Sequence, residues 1–65
     1  MNNRIKELRK AKMLSQDDMA ILCGVSRQTI NAIENNKYDP TLKLAFKISN
    51  VLNSSVDEIF IDNNN

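Results

Sequence analysis

Between Ser26 and Asn36 the chain reads SRQTINAIENN, and the outward helical positions of this stretch carry Arg27, Gln28, Asn31 and Asn35 where a solvated helix usually carries Glu and Lys. An Arg guanidinium matches the paired acceptors of guanine, and a Gln or Asn amide matches the donor–acceptor edge of adenine, so this row of side chains can hydrogen-bond base edges in a major groove. Taking Ile30 as pointing inward and stepping 100° per residue, Gln28, Ala32 and Asn35 point away from the core with Asn31 beside them. Arg27 falls on the first turn, where a long side chain can swing past the helix end. The plainer alternative is a polar face that only meets water.

Other chemistries are poorly supplied. With no His there is no imidazole for acid–base catalysis and no zinc-finger spacing, and a lone Cys23 cannot form an internal disulfide. The sequence predicts no enzyme, no metal and no cofactor, and a chain of 65 residues leaves little room for a small-molecule pocket. Cys23 reads as a small buried hydrophobe. The longest apolar stretch, Met19 to Val25, is far too short to span a bilayer, so no membrane partner is expected. A small fold without disulfide staples is expected in the reducing cytoplasm.

Net charge is only +1, but it is unevenly placed. Residues 1–47 hold all nine Lys and Arg against five acids, a balance of +4, while residues 48–65 hold Asp57, Glu58 and Asp62, a balance of −3. A basic body and an acidic end suit a polyanion partner, although a solvated basic helix explains the same numbers.

The elements that must position the polar row follow from caps and periodicity, and they predict a single all-α domain over residues 1–65. A first helix over residues 3–12 has a narrow apolar stripe at Ile5 and Leu8, with Met13 beyond. Ser15 caps a second helix from Gln16, with Asp18 three residues on to complete a capping box. Gly24 provides the left-handed residue that ends it, and Val25 re-enters the core. Ser26 caps the third helix. Asn35 to Pro40 reads as a loop. Thr41 caps a fourth helix whose apolar face is Leu42, Leu44, Ala45, Ile48, Val51 and Leu52, and Ser55 opens a short fifth, VDEIF. Ile61 is predicted to be extended, and residues 62–65 to fray. The second and third helices share Met19, Ala20, Cys23, Val25, Ile30 and Ile33, and joined by a short Gly-containing turn they form a helix-turn-helix over about residues 16–35.

Residues 4–52 resemble the Cro and phage-repressor type of helix-turn-helix domain, the Xre family, in its short single-domain form. The resemblance runs through LRKAK at 8–12, SQDDMA at 15–20, GVSRQTI at 24–30, IENNK at 33–37 and PTLKLAFKI at 40–48. It implies a compact five-helix, lambda-repressor-like fold and a double-stranded DNA operator as partner. Carried onto matching positions, it implies that Arg27, Gln28 and Asn31 read bases. Gln16 would hold a phosphate at a helix N-terminus, Thr29 would touch backbone or a thymine methyl, and Asn36, Lys37 and Tyr38 would grip phosphates. Arg9 and Glu34 match a pair that joins the first and third helices as a partly buried salt bridge in related domains. Two departures stand out: Asn36 replaces the usual glycine, and Cys23 replaces an aliphatic.

One recognition helix reaches few base pairs, so two copies on an inverted repeat are the expected remedy. Val56, Ile59, Phe60 and Ile61 supply apolar surface beyond the main core, and Phe46 is a further candidate. These predict a homodimer joined through residues 50–61, against the simpler reading that Ile59 and Phe60 close the monomer core. The expected role is transcriptional repression by occupying an operator. The rival is an antitoxin-like interaction module that masks a partner protein through the fourth helix and the tail.

Overall fold

The computed structural model describes residues 1–61, so the expected fraying of residues 62–65 lies outside the described residues. The element order is β1 (Asn2–Asn3), α1 (Ile5–Ala11), α2 (Gln16–Cys23), α3 (Arg27–Glu34), α4 (Leu42–Leu52), α5 (Val56–Ile59) and β2 (Phe60–Ile61). Five helices form where apolar spacing places them, four of them opened by a side-chain cap.

Serine or threonine caps four of them. Ser15 Oγ accepts from the Asp18 N–H at 2.9 Å while the Asp18 carboxylate accepts from the Ser15 N–H, and Ser55 and Glu58 repeat the arrangement on α5. Ser26 caps α3 through the Thr29 N–H, and Thr41 caps α4 through the Leu44 N–H. Gly24 ends α2 at φ 71°, a conformation in which a Cβ is strained.

Two polar residues at the chain start form a strand, and Asn3 thereby departs from the predicted helix. Asn2 and Asn3 pair antiparallel with Ile61 and Phe60. The Arg4 N–H donates to the Ile59 carbonyl at 2.7 Å, and Asn3 Oδ1 accepts from the Ile5 N–H, so α1 begins two residues later than expected. Phe60 leaves the fifth helix for the same reason.

The core gathers Ile5, Met19, Ala20, Cys23, Ile30, Ile33, Leu44, Ala45, Ile48, Leu52, Ile59 and Phe60. Every helix contributes, which is how so short a chain buries enough apolar area to fold. Two expected apolar positions are corrected. Met13, at φ 60°, is 90% exposed because it turns the chain out of α1, and Leu14 packs in its place. Leu42, the first residue of α4, is 70% exposed because its position lies off the buried stripe of Leu44, Ala45, Ile48 and Leu52.

Candidate nucleic-acid interface

The polar row on α3 is held from behind by Ile30 and Ile33, both almost fully buried against α2 and the rest of the core. Arg27, Gln28, Asn31 and Asn35 are all exposed. Ala32, expected to face away with them, is half-buried: the loop after α3 folds back so that the Lys37 N–H donates to the Ala32 carbonyl at 2.9 Å. The exposed edge is therefore narrower than the helical wheel suggests, and it is polar throughout.

Arg9 and Glu34 come together in a two-pronged ion pair. Arg9 Nε donates to Glu34 Oε2 at 2.8 Å and an Nη donates to Oε1 at 3.1 Å, with the side chains 9% and 4% exposed. The second Nη donates to the Leu14 carbonyl at 2.9 Å, so both the guanidinium and the carboxylate are satisfied inside the protein. Hydrogen bonding to Glu34 raises the Arg9 pKa above its ordinary value, outweighing the opposing effect of burial. The pair ties α1 to the last residue of α3.

Gln16 extends that pair to the exposed edge, a linkage local sequence spacing does not reveal. Its Nε2 donates to Glu34 Oε1 at 3.2 Å, while its Oε1 accepts from Asn31 Nδ2 at 3.4 Å and from Arg27 Nε at 3.5 Å. Asn35 Nδ2 continues the chain to Asn31 Oδ1 at 3.2 Å. Three of the four exposed polar side chains are thus pre-positioned by a half-buried amide that is anchored on a buried carboxylate. The Arg27 guanidinium also lies 3.9 Å from Asp17, a loose and open contact. Gln28 is exposed on the same edge.

The residues expected to meet a sugar–phosphate backbone have different surroundings. Lys37 is exposed and Tyr38 is 48% exposed, which leaves both accessible. Thr29 is half-buried, its hydroxyl 3.0 Å from that of Ser26. Asn36 adopts φ 61°, the left-handed conformation that its glycine-like position requires. Its amide is engaged by the chain's own N-terminus at the surface, donating to Asn2 Oδ1 at 3.0 Å and accepting from Asn3 Nδ2 at 3.2 Å. Asn3 Nδ2 also donates to the Ile33 carbonyl at 2.8 Å. The N-terminal asparagines therefore lock the end of α3, a role that sequence reasoning missed.

The apolar residues assigned to a second copy divide in two. Ile59 and Phe60 lie in the core of the single chain, whereas Val56 is half-buried and Ile61 is 40% exposed. Ile59 and Phe60 accordingly offer no free surface, and Phe46, at 55% exposure, does. Cys23 is 1% exposed, and burial pushes its thiol pKa up, partly offset by the Lys47 ammonium. That is a packing environment rather than a reactive one. Among the described residues no group of three or more potential ligands gathers to hold a metal ion.

A family model described as Helix-turn-helix matches residues 5–59, nearly all of this architecture. The chain belongs to this helix-turn-helix family. An HTH-type transcriptional regulator of Methanocaldococcus jannaschii is 52% identical over 61 residues, covering 94% of this chain and 92% of that protein. A second, YgzD of Bacillus subtilis, is 40% identical, covering 92% and 91%. Among solved structures, the restriction-modification controller protein C.AhdI of Aeromonas hydrophila superposes with TM-score 0.81 at 33% identity, covering 88% of this chain and 86% of that one. The N-terminal DNA-binding domain of SinR from Bacillus subtilis does so with TM-score 0.81 at 32% identity, covering 95% and 91%. As a helix-turn-helix transcriptional regulator, the protein is not an enzyme, and α2 and α3 are the two helices that name the family.

Proposed function

We propose that this helix-turn-helix protein is a sequence-specific regulator that binds double-stranded operator DNA in the cytoplasm and represses transcription by occupying it. One observation carries the reading: α3 presents Arg27, Gln28 and Asn31 outward on a rigid base of Ile30 and Ile33, with Gln16 fixing two of the three. In the groove, Arg27 takes a guanine edge and the Gln28 and Asn31 amides take adenine edges, while Lys37 and Tyr38 hold backbone phosphates on the loop side. Gln16 acts in this reading chiefly by aligning Arg27 and Asn31, with any phosphate contact secondary. Thr29 and Asn36 contribute through the backbone geometry they set.

Two copies on an inverted repeat supply the reach that one recognition helix lacks, and the accessible Val56, Ile61 and Phe46 are the apolar residues available to join them. Selection of bound sequences from a random duplex pool tests the whole reading. A palindromic preferred site with half-sites one helical turn apart supports it, and recovery of no preferred sequence rejects it. Sedimentation at micromolar concentration tests the dimer separately.

A second reading, an interaction module that masks a partner protein, is favoured by the exposure of Leu42 and Phe46, four residues apart on α4. Copurification of a small stoichiometric partner that survives Leu42→Ser and Phe46→Ser would remove that surface from consideration.

A further inference from the structure

A cleft of about 340 Å³ opens between the α2–α3 turn and α4, lined among others by Gly24, Thr29, Tyr38, Thr41, Lys43 and Lys47. Tyr38 belongs to the face already read as meeting DNA and Thr29 lies beside it, so the cleft continues that face across the end of α3 onto α4. Lys43 and Lys47 are one turn apart on α4, both exposed, and the Lys47 ammonium lies 3.8 Å from where a Cβ on Gly24 would stand. Two cations, two threonine hydroxyls and a phenol border the space, and none of its lining side chains is acidic.

Lys43 stands in the first turn of α4, where the helix dipole disfavours a cation and where no acid offsets it. Nothing in the isolated fold repays that placement, since neither lysine forms an ion pair among the described residues. Burial pushes the pKa of the Cys23 thiol on the cleft wall up, with the Lys47 ammonium acting the other way.

We infer that this cleft seats the sugar–phosphate backbone of the bound duplex, with Lys43 and Lys47 neutralising phosphates flanking the base pairs that α3 reads. The apolar part of the wall suits deoxyribose, and the two ammonium groups suit the phosphates on either side. The inference rests on the DNA-binding reading of α3 and adds to it two residues that the sequence did not single out.

The test compares wild-type protein with Lys43→Ala/Lys47→Ala on two probes, a mixed-sequence duplex and the duplex selected from the random pool, by fluorescence anisotropy over a range of salt. Circular dichroism first confirms that the variant is folded. The expected result is a slope of log affinity against log salt that is shallower by about 1.8, with affinity at 0.1 M salt reduced by roughly tenfold to a hundredfold on both probes and their ratio unchanged. Lys43→Arg/Lys47→Arg is expected to restore the wild-type slope. A wild-type slope in the alanine variant overturns the inference while leaving α3 recognition standing. So does an equal loss in Lys6→Ala/Lys10→Ala, which removes the same charge from α1. Failure of the wild-type protein to bind either probe overturns both readings at once.

Discussion

Helices α2 and α5 begin in one way and helices α3 and α4 in another. At the first pair, Ser15 and Ser55 sit in reciprocal capping boxes with Asp18 and Glu58, and Asp17 and Asp57 add further negative charge to the first turn. At the second pair, Ser26 and Thr41 cap without any acid, and the first turn holds a cation instead, Arg27 on α3 and Lys43 on α4. The positive end of a helix dipole is neutralised internally in the first pair and left positive, even reinforced, in the second. Local stability argues for the first arrangement everywhere. Its absence from the first turns of α3 and α4, which border one continuous face, leaves that face positive among the described residues and fits the negatively charged partner proposed above.

The severest way to break this contrast is to remove what holds α3 in place. Glu34→Ala leaves Arg9 buried without its partner and Gln16 without its anchor, and is expected to cost about 3–5 kcal/mol, enough to unfold much of so small a protein at 37 °C. Urea denaturation measures it, and an unshifted midpoint would show that the pair is not doing what its geometry suggests.

Arg27→Ala comes next, and acts on function rather than fold: affinity for the selected site drops by about 1–3 kcal/mol with preference relaxed at one base pair, while thermal stability stays near wild type.

The third test sharpens the other side. Ser15→Ala or Ser55→Ala each removes a cap and is expected to cost about 1 kcal/mol of stability with DNA affinity little changed. Backbone hydrogen bonding lowers the Asp18 and Glu58 pKa values from the ordinary carboxylate range. Their stabilisation is therefore complete at neutral pH and is lost as pH falls through those lowered values, so Asp18→Asn and Glu58→Gln should each show a shallower acid destabilisation than wild type, whereas Ser→Ala keeps the backbone N–H and most of the pH dependence. No such difference is expected from caps at α3 or α4.

The smallest effect is Lys37→Ala, which should weaken every duplex alike and reduce the salt slope by about 0.9. A change in sequence preference instead would move Lys37 into the base-reading group.

Much of this contrast was legible in the amino-acid sequence because it is local. Ser15, Ser26, Thr41 and Ser55 announce helix starts, Gly24 announces the turn, and the row from Arg27 to Asn35 stands out by its residue types. Interactions between distant segments were harder to see. Asn2 and Asn3 form a strand too short to show alternation, and their ties to Asn36 cross more than thirty residues of chain. Gln16 offered an amide at a helix start, and nothing in its neighbours indicated that it would bridge Glu34 to Asn31. The pattern around Ile59 and Phe60 marked them as apolar without saying whose core they would enter. An apolar residue is equally satisfied by its own chain or by a second one, and only the pairing of β1 with β2 resolves the choice.

Cys23 gives the fold an internal clock. As the single thiol in the chain, almost wholly enclosed where α2 packs against α4, it can meet an alkylating reagent only when those helices part. The rate of its labelling under native conditions then counts opening events without any added dye or tag, and a ligand clamped across α3 and α4 should slow that count in proportion to how tightly it holds them closed.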